Sequence, residues 1–353
     1  MRSVRIWEGR LGIRLRWILL VVLLIGVWIV MGSPARGEWY ARAVYPYVSA
    51  VLSRISSWFP FSIGDCFIYG SVAGLLAYLV YGCARRRFGR TLRHVVEYLA
   101  WVYVWFYLAW GLNYFRKDFF ARTEIPYVAF SAERFQSFLM AYTDSLNAAW
   151  VPVDTVDRET VRKVVRKGYQ AMSERFGLLA PDAYLRPKPM LFSRLMSGVG
   201  VTGYIGPFFI EYHLNGQLLP IQYPATYAHE LAHVLGISNE AEANLYSYWV
   251  CTNAAEPEIR LSGYLSLLPY VLGNAYAVMD EADFKAWSRK IRPEVKALYN
   301  EKVEYWHSLY NPWIGEAQET LYNLFLKGNK ISSGTKNYSE VIALLIALRA
   351  IDD

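Results

Sequence analysis

The sequence predicts two parts of different physical character, an α-helical membrane anchor of three spans followed by a mainly helical α+β domain with a small sheet. Three observations carry that expectation. Apolar residues make up 54% of the chain and aromatic residues 16%, and most of the long uncharged runs fall near its beginning. The remainder reads as helical segments punctuated by proline and glycine. Within it, residues 198–216 combine glycines with β-favouring side chains, directly ahead of a helical stretch with two histidines four apart.

The first span is expected at about residues 15–32, where Trp17 to Met31 is uncharged and nearly long enough to cross a bilayer. Ser33, Pro34 and Ala35 make a poor cleavage site, so the segment reads as an uncleaved signal anchor. Residues 38–60 are aromatic and amphipathic, as suits a helix lying along an interface. The second span is expected at 61–83, rich in glycine, with Asp65 near its start. The third, at 95–114, is crowded with Trp and Tyr and has Glu97 near its beginning. Acids so close to span ends suggest solvated or snorkelling carboxylates rather than an ion path.

Arg2, Arg5, Arg10, Arg14 and Arg16 precede the first span, and Arg85, Arg86, Arg87, Arg90 and Arg93 lie between the second and third. The positive-inside rule puts both groups on the cytoplasmic side of a bacterial-type inner membrane. Residues 1–115 then form the membrane domain, and residues 116–353 an extracytoplasmic one. Much of the net charge of +7 is thus a topology signal. Elsewhere basic residues are scattered among acids, which argues against a nucleic-acid partner. The three cysteines, Cys66, Cys83 and Cys251, supply neither a disulfide framework nor a Cys-x-x-Cys metal knuckle.

In the second part, residues 131–150 and 155–176 have helical composition, and the basic face of the latter reads as solvated surface. A proline-punctuated connection, 181–189, leads to a possible strand at 190–193. The run 198–216 reads as strand and turn, with Glu211 and His213 as its polar members. Both suit structural roles, and His213 is also a candidate oxyanion stabiliser. Residues 261–279 are uncharged over about a span length, but Ser262, Gly263, Ser266, Pro269, Gly273 and Asn274 suit a buried core helix better than a lipid-facing one. Residues 280–310 read as a charged helix, Asn311 and Pro312 as a break, and 316–326 as helix again. A polar loop at 328–337 and an amphipathic helix at 339–350 complete the pattern.

The chemistry is concentrated in residues 227–248, YAHELAHVLGISNEAEANLYSY. His229 and His233 lie four apart and so share one helical face, from which two imidazoles can reach one metal ion. Glu230 projects about 100° further round, as suits a general base acting on water at that metal. Gly236 is a plausible helix end, and Ser238 and Asn239 a plausible start of the next helix. Glu240 is then the expected third ligand. Asn244, on the same face, would orient a histidine. Glu242 lies on another face, three residues after Asn239, where a capping box explains it; it is the alternative third ligand. A mutually satisfied core pair is the plainer reading of the two histidines. Against it, the chain has five histidines, and two of them fall at ligand spacing beside a glutamate, with an E-x-x-x-N element just downstream.

This segment resembles the zincin metallopeptidases, and HELAH followed by ExEAN is similar to the gluzincin branch, in which a helix glutamate is the third ligand. Over most of its length the chain resembles a membrane-anchored family of unknown function, the domain numbered 3810. The matching pieces are VYPYVS and FPFSIGD between residues 40 and 65, GLNYFR at 111–116, GYIGPFFIEYHLN at 203–215 and the HELAH-to-EAN block. His233 and Glu240 are seven apart, closer than in thermolysin-like enzymes. Gly236 sits where metzincins place the glycine before their third ligand, and Asn239 takes that ligand's position. The resemblance implies a zincin-like domain holding Zn2+ through His229, His233 and Glu240. It also implies an edge strand within 198–216 that pairs with extended substrate.

The expected function is that of a membrane-anchored zinc metallopeptidase acting on peptide or protein substrates beside the lipid bilayer, with Glu230 as base. Proteolysis within the membrane fits less well, because residues 223–244 hold a proline, two histidines, three glutamates and two asparagines. A non-catalytic scaffold is the alternative from another class. It would need a fourth protein ligand, such as His213 or Glu242, to close a structural zinc site.

Overall fold

The computed structural model describes residues 2–331, 333 and 340–352. The described residues are mostly helical with one three-stranded sheet, and the chain divides into two units. The first comprises Met1–Lys117 with Gly206–Glu211, and the second Asp118–Ile205 with Tyr212–Asp353.

The first unit holds α1 (Arg2–Met31), α2 (Pro34–Trp39), α3 (Tyr45–Ser57), α4 (Ile63–Ala84) and α5 (Phe88–Ala109). Pro34 opens α2 where its missing N–H costs nothing, and the segments Leu15–Met31 and Pro34–Ser57 meet at a bend of 108°. The amphipathic stretch expected along an interface is therefore helical, with a π-turn at Tyr40–Val44. Buried Glu38 ties it down by accepting from Arg42 (2.6 Å) and from Arg116 (3.0 and 3.1 Å). Glu97 is not solvated as expected: it is buried and accepts from Arg16 at 3.0 Å.

Among the described residues one helix, α4, is long and apolar enough to cross a membrane, and the bent pair makes a second if counted as one span. By length and composition α5 falls short. Its first half carries Arg90, Arg93, His94 and Glu97. At the start of α4, Ser62 caps Asp65 N at 2.9 Å, while the Glu211 carboxylate accepts from Ser62 Oγ (3.0 Å), Ile63 N (3.1 Å) and Gly64 N (2.7 Å). An anion at a helix N-terminus meets both the free N–H groups and the positive end of the dipole. Glu211 is thus a structural residue.

The second unit begins with α6 (Phe119–Thr123), α7 (Ala132–Ala148) and α8 (Arg158–Phe176). The sheet follows as β1 (Lys188–Pro189), then α9 (Ser193–Gly198), β2 (Gly203–Gly206) and β3 (Glu211–Leu214). The strand expected at 190–193 lies earlier, at β1, because Ser193 already opens α9. The order is β1-β3-β2, with β1 and β3 parallel in the register Lys188 to His213 and Pro189 to Leu214. β2 is therefore an edge strand, and its first three residues are half-buried.

The remaining helices are α10 (Tyr223–Val234), α11 (Glu240–Thr252), α12 (Pro257–Val278), α13 (Glu281–Ser288), α14 (Pro293–Leu309), α15 (Pro312–Gly328) and α16 (Val341–Asp352). The single charged helix expected over 280–310 is two, because Pro293 starts a new one. Half of the loop expected at 328–337 lies outside the described residues, and Gly328 still belongs to α15. α10, α11 and α12 pack on one another at the centre of this unit, with α8 against α10 and α11 and with α16 against α11 and α12. Buried Tyr169 donates to Ala228 O (2.7 Å), and Ser247 to Ala225 O (2.7 Å). Each buried hydroxyl thereby finds its acceptor in a carbonyl of α10 across a helix interface. Ile259, Leu261, Leu265, Leu267, Leu268 and Val271 of α12 are buried, so the span-length run at 261–279 is a core helix.

Candidate metal centre

The site is made by a sharp reversal between two central helices. α10 stops at Gly236, whose φ of +91° a side chain would strain, and Ile237 N returns to Ala232 O at 3.2 Å. Asn239 then caps α11 by accepting from Glu242 N at 3.0 Å. The first residue of α11, Glu240, is thereby carried back beside the histidine face of α10.

Three donor atoms converge there. His229 Nε2 is 3.1 Å from His233 Nε2 and 3.1 Å from Glu240 Oε2, and His233 Nε2 is 3.4 Å from the same oxygen. On the far side of the rings, His233 Nδ1 lies 2.7 Å from Ile237 O, and His229 Nδ1 lies 2.9 Å from Asn244 Oδ1. A main-chain carbonyl can only accept, so Nδ1 of His233 carries the hydrogen, and Nε2 of the neutral ring presents a lone pair. Asn244, itself hydrogen-bonded to Tyr270, sets His229 in the same sense. Two lone pairs and a carboxylate oxygen facing one point repel unless a positive charge sits among them. Ligands of a tetrahedral zinc at about 2.0–2.1 Å lie roughly 3.3 Å apart, and these spacings fall at that value. The donor set and its dimensions fit a zinc ion with three protein ligands and an open fourth position.

The electrostatics agree with a site built for a cation. Burial alone would lower the His233 pKa, but the charge and hydrogen bond of Glu240, with Glu230 and the Ile237 carbonyl, outweigh it and push the ring up to about 9. Burial likewise opposes ionisation of Glu240, yet the two imidazoles hold its carboxyl well below the ordinary range. Without a metal, a proton on His233 fills the cation's place.

Glu230 is different. It is 4% exposed, and its Oε2 has no hydrogen-bond partner among the described residues. Burial raises its pKa to about 7, with His229 and His233 pulling down and Glu240 pushing up. Its room is provided by Gly203 on β2. A Cβ there would lie 2.3 Å from Glu230 Oε1 and 2.5 Å from its Cγ, so no other residue allows this carboxylate to lie against the edge strand.

The remaining expected residues have other surroundings. Glu242, the alternative third ligand, forms a buried ion pair with Arg122, whose guanidinium also donates to Tyr246 Oη (3.1 Å) and Phe176 O (3.4 Å). His213 lies fully buried in the middle strand, its ring stacked on Tyr204 at 4.4 Å between centroids, outside the converging group. Two contacts escape the sequence reading. Tyr322 of α15 donates to Glu240 Oε1 at 2.9 Å, and nothing distinguishes it beforehand from the other 27 of 28 tyrosines. Gly203 did carry a signal, since glycine inside a strand pattern marks a close approach.

Comparison with curated proteins and with solved structures returns no match. The model of the family described as "protein of unknown function (DUF3810)" matches residues 40–346, which include the first unit from α3 onward and the whole α10–α12 core. The chain belongs to that family, the DUF3810 proteins.

Proposed function

We propose that this protein is a membrane-anchored zinc-dependent peptidase of zincin type. The observation that carries the reading is the triangle of His229, His233 and Glu240, with edges of 3.1, 3.1 and 3.4 Å, beside a buried glutamate whose Oε2 is unpartnered. Zinc held by His229, His233 and Glu240 would supply Lewis acidity to a scissile carbonyl and would lower the pKa of the attacking water to about 7. Glu230 takes the proton of the attacking water at Oε2 and returns it to the leaving amine, and a pKa of about 7 suits both transfers. The half-buried edge of β2 pairs with the extended backbone of a peptide substrate beside Glu230.

The anchor in this reading has three membrane-embedded segments, with the N-terminus on the cytoplasmic side and residues from about 116 outside. Leu15, Ile18 and Val22 of α1, Val72, Leu76 and Val80 of α4, and Leu92, Val96 and Leu99 of α5 are all exposed, as lipid-facing side chains are. The scaffold alternative needs a fourth protein ligand. The engagement of Glu242 by Arg122 and the stacking of His213 on Tyr204 weigh against it.

Zinc analysis of the full-length protein in detergent, with a peptide-pool hydrolysis assay, tests the proposal. Wild type and Glu230→Gln are expected to hold about one zinc each, and only wild type cleaves. Zinc in both with cleavage in neither would favour the scaffold.

A further inference from the structure

We infer that Tyr322 is a positioning residue of the metal centre, holding the outer oxygen of Glu240 so that this carboxylate gives the metal one oxygen and not two. The inference rests on the reading of His229, His233 and Glu240 as a metal centre, and it adds a residue from a distant part of the chain.

The two oxygens of Glu240 have different company. Oε2 faces both imidazoles, at 3.1 and 3.4 Å. Oε1 accepts from the Tyr322 hydroxyl at 2.9 Å. Glu240 is 4% exposed, so bulk water has little access to Oε1 should the phenol leave. A carboxylate whose second oxygen is released next to a divalent cation gains by swinging that oxygen onto the metal. Two imidazoles, a two-oxygen carboxylate and a water would make five donor atoms, which crowds the position that a catalytic site keeps for water and substrate. A hydrogen bond to Oε1 opposes that swing. It also draws charge away from the ligand, which leaves the metal a stronger Lewis acid.

The source of the hydroxyl matters as well. The groups that orient the rings, Asn244 and the Ile237 carbonyl, come from α11 and from the turn that leads into it. Tyr322 comes from α15, 82 residues beyond Glu240, and its helix leaves Trp313, Leu321 and Leu324 exposed at 89%, 69% and 63%. Tyr322 itself is half-buried, turned away from that apolar face. That hydrogen bond therefore ties α15 to the ligand set.

The test is the visible spectrum of the cobalt-substituted full-length protein, with hydrolysis measured on the zinc form. Wild type should show the intense bands of a four-coordinate cobalt site. In Tyr322→Phe those bands should weaken several-fold as the coordination number rises, and kcat should fall roughly tenfold or more with KM nearly unchanged. Leu321→Ala, an exposed neighbour on the same helix, controls for altered packing of α15 and should match wild type in both readouts. A Tyr322→Phe spectrum and kcat within twofold of wild type would overturn the inference, as would the same losses in Leu321→Ala. Wild-type protein that takes up neither cobalt nor zinc defeats the metal-centre reading itself, a result visible before any variant is made.

Discussion

Two regions of this molecule each bury a glutamate almost completely and treat it in opposite ways. At the start of α4, Glu211 is 2% exposed and receives three hydrogen bonds of 2.7–3.1 Å from Ser62, Ile63 and Gly64. In α10, Glu230 is 4% exposed, and its Oε2 has no partner among the described residues. Leaving a buried polar atom unpaired costs about 1–3 kcal/mol, and more for a charged group. A fold tolerates that cost where the group has work to do, and perturbed carboxylates collect at functional sites for this reason. The first glutamate caps a helix, and in the proposed reading the second is kept ready for a proton.

The contrast can be broken experimentally, beginning with the strongest effect. Glu230→Gln should lower hydrolysis by about 10²–10⁴-fold, the usual contribution of a general base, without loss of thermal stability. A fall in stability on a par with other buried-charge variants would make Glu230 structural like Glu211. Arg122→Ala strands Glu242 as an unpaired buried charge, and chemical unfolding should show about 3–5 kcal/mol of destabilisation. An unchanged denaturation midpoint would show that the pair holds nothing.

Gly203→Ala should keep the zinc and the fold while displacing the Glu230 side chain. Kinetics should then show a loss of roughly 10²-fold, as for a catalytic group misplaced by about 1 Å. Wild-type kcat in this variant would remove the edge strand from the account of the site. Glu211→Gln keeps the shape but loses the charge at the α4 N-terminus. It should lower stability by about 2 kcal/mol and leave hydrolysis intact, read by denaturant midpoint and assay together.

The smallest effect is on pH dependence. In the metal-free protein the folded His233 pKa is raised to about 9, so the protonated ring stabilises that state at low pH. This contribution is fully present below the unfolded value of about 6.5 and is lost as pH rises through 9. Zinc must displace that proton. Its affinity should rise at least tenfold per pH unit between pH 6 and 9, with at least one proton released per ion, as calorimetry in buffers of different ionisation enthalpy can count. A flat affinity from pH 6 to 9 would contradict it.

Much of the candidate site could be read locally. Four-residue spacing puts His229 and His233 on one face, and the same spacing puts Glu240 and Asn244 together. Gly236 and Asn239 mark the reversal that brings the two helices face to face, and the capping of α11 accounts for the position of Glu242. The core character of α12 was also legible, because serine, glycine, proline and asparagine interrupt its apolar run. The short strands were less so. Two to four residues of β1, β2 and β3 carry too little periodicity to fix their ends.

By itself, then, the sequence determined whatever depends on neighbours within a few residues, which includes helix faces, caps, breaks and the pairing of the two rings. Tertiary structure alone decided which of Glu240 and Glu242 faces the imidazoles and which meets Arg122. It also decided that Gly203 makes room for Glu230 and that Tyr322 reaches Glu240. Helical geometry repeats along a chain and can be counted from residue numbers. A contact across 82 or 120 residues follows from how whole elements pack, and no short-range pattern encodes it.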